Sequence, residues 1–133
     1  MTNTLESELT VLENENEAWQ SVCPLLRLIP ERGVAALVGG RPVALFRLEG
    51  PEGTRVFAVD HIDPRMQVPT MARGLVGSVG DEPTVAAPLL KEKYSLVTGQ
   101  CFTNPEYQLP VFDVRVHDGQ IYVRTNVIRG KQA

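Results

Sequence analysis

The sequence predicts an all-β domain, a sandwich or small barrel of short antiparallel strands. Apolar and polar residues alternate over short runs, most clearly in Val34–Leu45 and Leu109–Thr125. Two turn dipeptides, Gly39-Gly40 and Asp118-Gly119, sit at the centres of those runs, where two-residue hairpins need positive φ. The other apolar runs are bounded by Gly and Pro, and little of the chain carries a helical period.

Residues 1–17 place Glu6, Glu8, Glu13, Glu15 and Glu17 among Asn, Thr and Ser, and read as a flexible, polar, acidic leader. Ala18–Cys23 alternates around Trp19 and reads as the first strand, with Trp19 as a core or rim anchor. Pro24 stops it, and Leu25–Arg32 reads as a turn with a helical kink. The Gly39-Gly40 turn pairs Val38 with Arg41, Ala36 with Val43 and Val34 with Leu45. One face of that hairpin is therefore Val34, Ala36, Val38, Val43 and Leu45.

Glu49–Thr54 reads as a turn and Arg55–Val59 as a strand, with Val56 and Ala58 opposite Phe57 and Val59. A long loop, His61–Ala72, follows. Leu75–Val79 and Thr84–Ala87 flank a turn Gly80-Asp81-Glu82-Pro83. Around Asp118-Gly119, Val116 faces Ile121 and Val114 faces Val123, while Arg115 faces Tyr122 and Asp113 faces Arg124. Residues 126–133 form a short basic tail with Arg129 and Lys131. No internal repeat is visible.

The length, 133 residues, fits one domain. A net charge of −3 argues against nucleic acid as a partner. No apolar run approaches a membrane span, and Met1–Asn16 has no apolar signal core, so no membrane partner and a cytoplasmic location are expected. In that compartment Cys23 and Cys101 are expected as free thiols that pack as small hydrophobes.

Sites for chemistry are sparse. His61, His117, Cys23 and Cys101 occur in no close pair, whereas zinc sites need four ligands at short spacings. His61 and Asp63 read as solvated loop residues, and His117 as an exposed strand end. There is no Gly-x-Ser-x-Gly elbow. Gly74, Gly77 and Gly80 do not make a dinucleotide fingerprint and read as turn and bulge glycines.

The run from Val56 to Cys101 carries a resemblance. It holds two loops, Asp60–Arg65 and Ala87–Leu90, the second leading into Tyr94–Cys101 with its Thr98-Gly99 turn. This layout resembles a Rieske domain, which holds a two-iron two-sulfur cluster with a Cys-x-His loop and a Cys-Pro-x-His loop. The four ligand positions fall on Asp63, Arg65, Ala87 and Leu90. Ala and Leu have no lone pair to offer, and Arg stays protonated. Asp63-Pro64, the Arg73–Gly77 run and Ala87-Pro88-Leu89 are similar to one family, the cluster-free Rieske-like small subunit of assimilatory NAD(P)H nitrite reductase.

The resemblance implies a Rieske-like all-β domain over residues 18–125, with two long loops at the former cluster site. It implies a non-catalytic subunit that docks on a large catalytic subunit and serves the reduction of nitrite to ammonia in nitrate assimilation. Flavin, siroheme and an iron–sulfur cluster would all lie on that large subunit. No residue of this chain is assigned a catalytic, cofactor-binding or metal role. The loop tips, with Arg65, Met66, Met71, Arg73, Lys91 and Lys93, are the expected partner interface. Ala87 and Leu90 are expected to fill the space the cluster left. Two rival readings have other requirements. A Rieske-type ferredoxin would need the missing ligands. A small-barrel module for single-stranded nucleic acid would need aromatic platforms and a basic groove, and aromatic residues make up only 6%.

Overall fold

The computed structural model describes the backbone of residues 19–129 and the side chains of 19–125. The acidic leader 1–17 and the end of the basic tail lie outside the described residues. Nine strands form among the described residues, in chain order: β1 (Trp19–Pro24), β2 (Val34–Val38), β3 (Arg41–Gly50), β4 (Gly53–Asp60), β5 (Leu75–Val79), β6 (Glu82–Ala86), β7 (Lys93–Ser95), β8 (Val111–His117) and β9 (Gln120–Arg129). Short 3-10 turns occupy Leu25–Arg27 and Met71–Arg73. There is no α-helix among the described residues, so none is long and apolar enough to cross a membrane.

Six strands make one antiparallel sheet in the order β1-β9-β8-β4-β3-β2. It curls until its edges approach, where the Gly39 N–H donates to Gln20 Oε1 at 3.0 Å. The result is a nearly closed barrel. Its interior packs Leu28, Val38, Val43, Leu45, Ala58, Phe112, Ile121 and Val123. The outer side of β3 and β4 carries Ala44, Phe46, Phe57 and Val59, which pack against the smaller sheet β5-β6-β7 and its loops. Hence Val43 to Phe46 is buried on both faces and reads as an unbroken apolar run rather than an alternation.

Both hairpins adopt the expected register. Val34 pairs with Leu45 and Val38 with Arg41; Val116 pairs with Ile121 and Asp113 with Arg124. Trp19 is buried, and the guanidiniums of Arg115 and Arg124 lie 4.5 and 4.7 Å from its ring.

Three segments differ from the sequence reading. β3 runs past Leu45 to Gly50 and meets β4 through a two-residue turn, Pro51-Glu52. The β5–β6 turn is Gly80-Asp81, because Val79 pairs with Glu82. Pro83 therefore lies inside β6, beyond the reach of β7, which pairs only Thr84–Ala86. β9 continues beyond Thr125, with Ile128 paired to Phe112 across a bulge.

Candidate functional site

Three loops share a single backbone design. In the first, Asp63 N–H donates to Val68 O at 2.8 Å and Gln67 N–H returns to Asp63 O at 2.7 Å. In the second, Ala87 N–H donates to Glu92 O at 2.8 Å and Lys91 N–H returns to Ala87 O at 2.9 Å. In the third, Ser95 N–H donates to Gln100 O at 2.9 Å and Gly99 N–H returns to Ser95 O at 2.8 Å. Each loop closes with a left-handed fifth residue: φ is 59° at Gln67, 62° at Lys91 and 80° at Gly99. The sequence shows no repeat here because only backbone geometry recurs.

The first residue of each loop differs in what its side chain can accept. Asp63 Oδ1 accepts from the N–H groups of Arg65 (2.8 Å) and Met66 (3.2 Å). Ser95 Oγ accepts from Val97 and Thr98, both at 3.0 Å, and donates to Glu82. Ala87 has only a methyl group. Asp63 is thus buried and structural, not the solvated residue the sequence suggested. Its neighbour His61 holds the same segment, since Nδ1 accepts the Ala72 N–H at 3.1 Å. Burial lowers the His61 pKa; Asp60 raises it and Arg73 lowers it further.

Between the loops lies a polar network that the sequence reading missed. Arg65 Nη1 sits 3.4 Å from Glu92 Oε2, and its guanidinium lies 5.7 Å from the Tyr107 ring centre. Thr103 Oγ1 donates to Glu92 Oε1 at 3.1 Å, and Cys101 Sγ is 3.9 Å from Oε2. Tyr94 is fully buried nearby, and its hydroxyl and Asp63 Oδ2 have no hydrogen-bond partner among the described residues. Burial, with the negative groups around it, pushes the Tyr94 phenol far up, so it stays protonated. A buried Glu beside a loop gave no pattern to read; only the pairing across loops reveals it.

Two of the expected site residues are placed elsewhere. Met71 is fully buried in the core under β3 and cannot present a docking surface. Its place in the 3-10 turn points it inward, away from the tips. Leu90 is 44% exposed, against the expectation that it fills a space left by the cluster, whereas Ala87 is buried. Met66, Arg73, Lys91 and Lys93 are exposed as expected, together with Leu75 and Leu89. The thiols are free; Cys101 is buried, and burial raises the pKa of half-buried Cys23, against both as nucleophiles.

An iron–sulfur cluster does not fit these residues. Asp63 spends Oδ1 on its own loop, Arg65 is committed to Glu92, and Ala87 and Leu90 carry no donor. Residues 18–124 match the family model described as a Rieske-like [2Fe-2S] domain. The chain is 36% identical over 106 residues to the nitrite reductase (NADH) small subunit of Salmonella typhimurium, covering 80% of this chain and 96% of that one. The chain belongs to the nitrite reductase small-subunit family. Escherichia coli K12 has a further member at 34% identity over the same span. A crystal structure of a putative NADH-dependent nitrite reductase small subunit from Mycobacterium tuberculosis superposes with a TM-score of 0.75 at 39% identity, covering 80% of this chain and 94% of that one. A large subunit of Klebsiella oxytoca nitrite reductase also matches, at 33% identity, although the chain spans only 11% of its length. A ferredoxin of carbazole 1,9a-dioxygenase, at 19% identity and TM-score 0.69, shares the fold alone.

Proposed function

We propose that this chain is the docking subunit of a cytoplasmic NAD(P)H nitrite reductase and acts on the large catalytic subunit through its loop tips. Flavin, siroheme and iron–sulfur chemistry belong to that large subunit, and this chain moves no electron. The observation that carries the reading is a Rieske-like fold whose cluster loops hold an ion pair instead of ligands, while their tips expose Met66, Leu75, Leu89 and Leu90 beside Arg73, Lys91 and Lys93. Apolar area ringed by cations is the composition of a protein contact. The occurrence of a similar segment within a Klebsiella large subunit supports the same pairing in one polypeptide.

The test is co-purification with the large subunit from the same genome, followed by titration at moderate salt. Lys91→Glu combined with Lys93→Glu should weaken binding at least tenfold and leave the isolated chain folded. Arg65 is left unchanged, because removing it strands buried Glu92. His117→Ala, at the exposed far hairpin, is the control and should bind like the parent. Equal binding by the charge-reversed chain would move the contact off these loops.

A further inference from the structure

We infer that the loop 87–92 binds one side-chain carboxylate of the docked partner through the backbone N–H groups of Leu89 and Leu90. The inference rests on the docking reading and names the chemistry it requires of the partner. In the loops starting at Asp63 and Ser95, the amides two and three residues on converge on one side-chain oxygen. The loop starting at Ala87 has the same closing hydrogen bonds and the same left-handed fifth residue. Its equivalent amides belong to Leu89 and Leu90, and Ala87 supplies no oxygen. Among the described residues neither amide has a protein acceptor. Two amides converging on one point form a concavity suited to an anionic oxygen.

The charges agree with that occupant. Exposed Lys91 and Lys93 follow directly. The one acid of the loop, Glu92, is buried and engaged by Arg65 and Thr103. The exposed Leu89 and Leu90 side chains, 54% and 44% accessible, give the amides an apolar rim. A rim of that kind matches a protein surface carrying Asp or Glu better than a free ion. A partner carboxylate would occupy the position that Asp63 Oδ1 occupies in the first loop, with a charge-assisted bond from each amide.

Ala87→Ser separates this from a merely structural loop, because Ser would supply the oxygen as Ser95 does. The Leu89 and Leu90 amides of the parent should exchange rapidly when free and become protected in the large-subunit complex. The variant should show them protected already, and bind about tenfold more weakly. Unprotected amides in the parent complex, or full affinity in a variant whose loop is capped, overturn the inference. If the serine chain fails to fold, protection in the parent complex decides alone. If the parent does not bind the large subunit, the docking reading fails separately. Acetate then decides: it should shift the two amide resonances of the free chain where chloride at equal ionic strength does not, and no shift rejects the site.

Discussion

Arg65 and Glu92 meet across the gap between two loops, one residue partly exposed and the other nearly covered. Their side chains are 41% and 12% accessible, so solvent screens the pair from one side only. The pair ties the two loops together at the point where a cluster would otherwise join them. Glu92 also takes a hydrogen bond from Thr103 on its other oxygen. Arg65→Met should destabilise the domain by about 1 kcal/mol, since it leaves a carboxylate under cover without its cation. Arg65→Met with Glu92→Gln should recover most of that, because a neutral amide needs no counter-charge. Urea midpoints of the two chains compare them directly. A double variant as unstable as the single one would assign the loss to the contact of the Arg65 guanidinium with the Tyr107 ring instead.

The loops behave as elements because their backbones close on themselves. Gly99 is held in its turn by sterics as well as by φ: a Cβ there would lie 1.9 Å from Leu109 O. Gly74 is a close-approach glycine, with Ala86 O 2.6 Å from where a Cβ would sit, whereas Gly80 is a turn glycine with φ of 61°. Gly77 is neither, lying in an unbroken β5–β6 register. The segment 61–72 hangs on His61, whose ring nitrogen must be unprotonated to accept the Ala72 N–H. Its folded pKa is depressed below the ordinary 6.5, chiefly by burial. The stability it contributes is therefore complete above pH 6.5 and is lost as pH falls through the lower, folded pKa. The protection of the Ala72 amide, relative to its intrinsic exchange rate, should fall on that acidic side, and His61→Ala should remove the step; protection that is flat across it would dismiss the link. The hairpins were legible in the sequence because Gly39-Gly40 and Asp118-Gly119 each dictate a register. The ends of β3 and β9 were not, because Phe46 is buried on a second face and the 126–129 pairing depends on a bulge. Of the site, the family resemblance alone pointed to Asp63, Arg65, Ala87 and Leu90. The depth of Met71, the exposure of Leu90 and the Arg65–Glu92 pair depend on contacts between segments distant in sequence.

At the scale of the molecule, a chain of net charge −3 places Arg73, Lys91 and Lys93 at one end, beside exposed Leu75, Leu89 and Leu90. The two cores beneath, one inside the barrel and one under the small sheet, hold the strands that carry those loops. The face is thus presented by a packed scaffold, and docking should need little rearrangement. If this face docks on the large subunit, cations and apolar side chains govern different steps. Rim charges act over a Debye length of about 10 Å at 0.1 M salt, and so chiefly set how fast partners meet. Leucines act only in contact, and so set how long the partners stay together. Stopped-flow association with the large subunit should slow as salt rises. Lys91→Glu with Lys93→Glu should flatten or invert that dependence. Leu89→Ala with Leu90→Ala should leave the salt slope as it was and speed dissociation about thirtyfold, since each truncation removes buried apolar area worth roughly 1 kcal/mol. If the leucine variant instead changed the salt slope, and the lysine variant changed only dissociation, the cations would be the anchors of this contact and the apolar tips its rim.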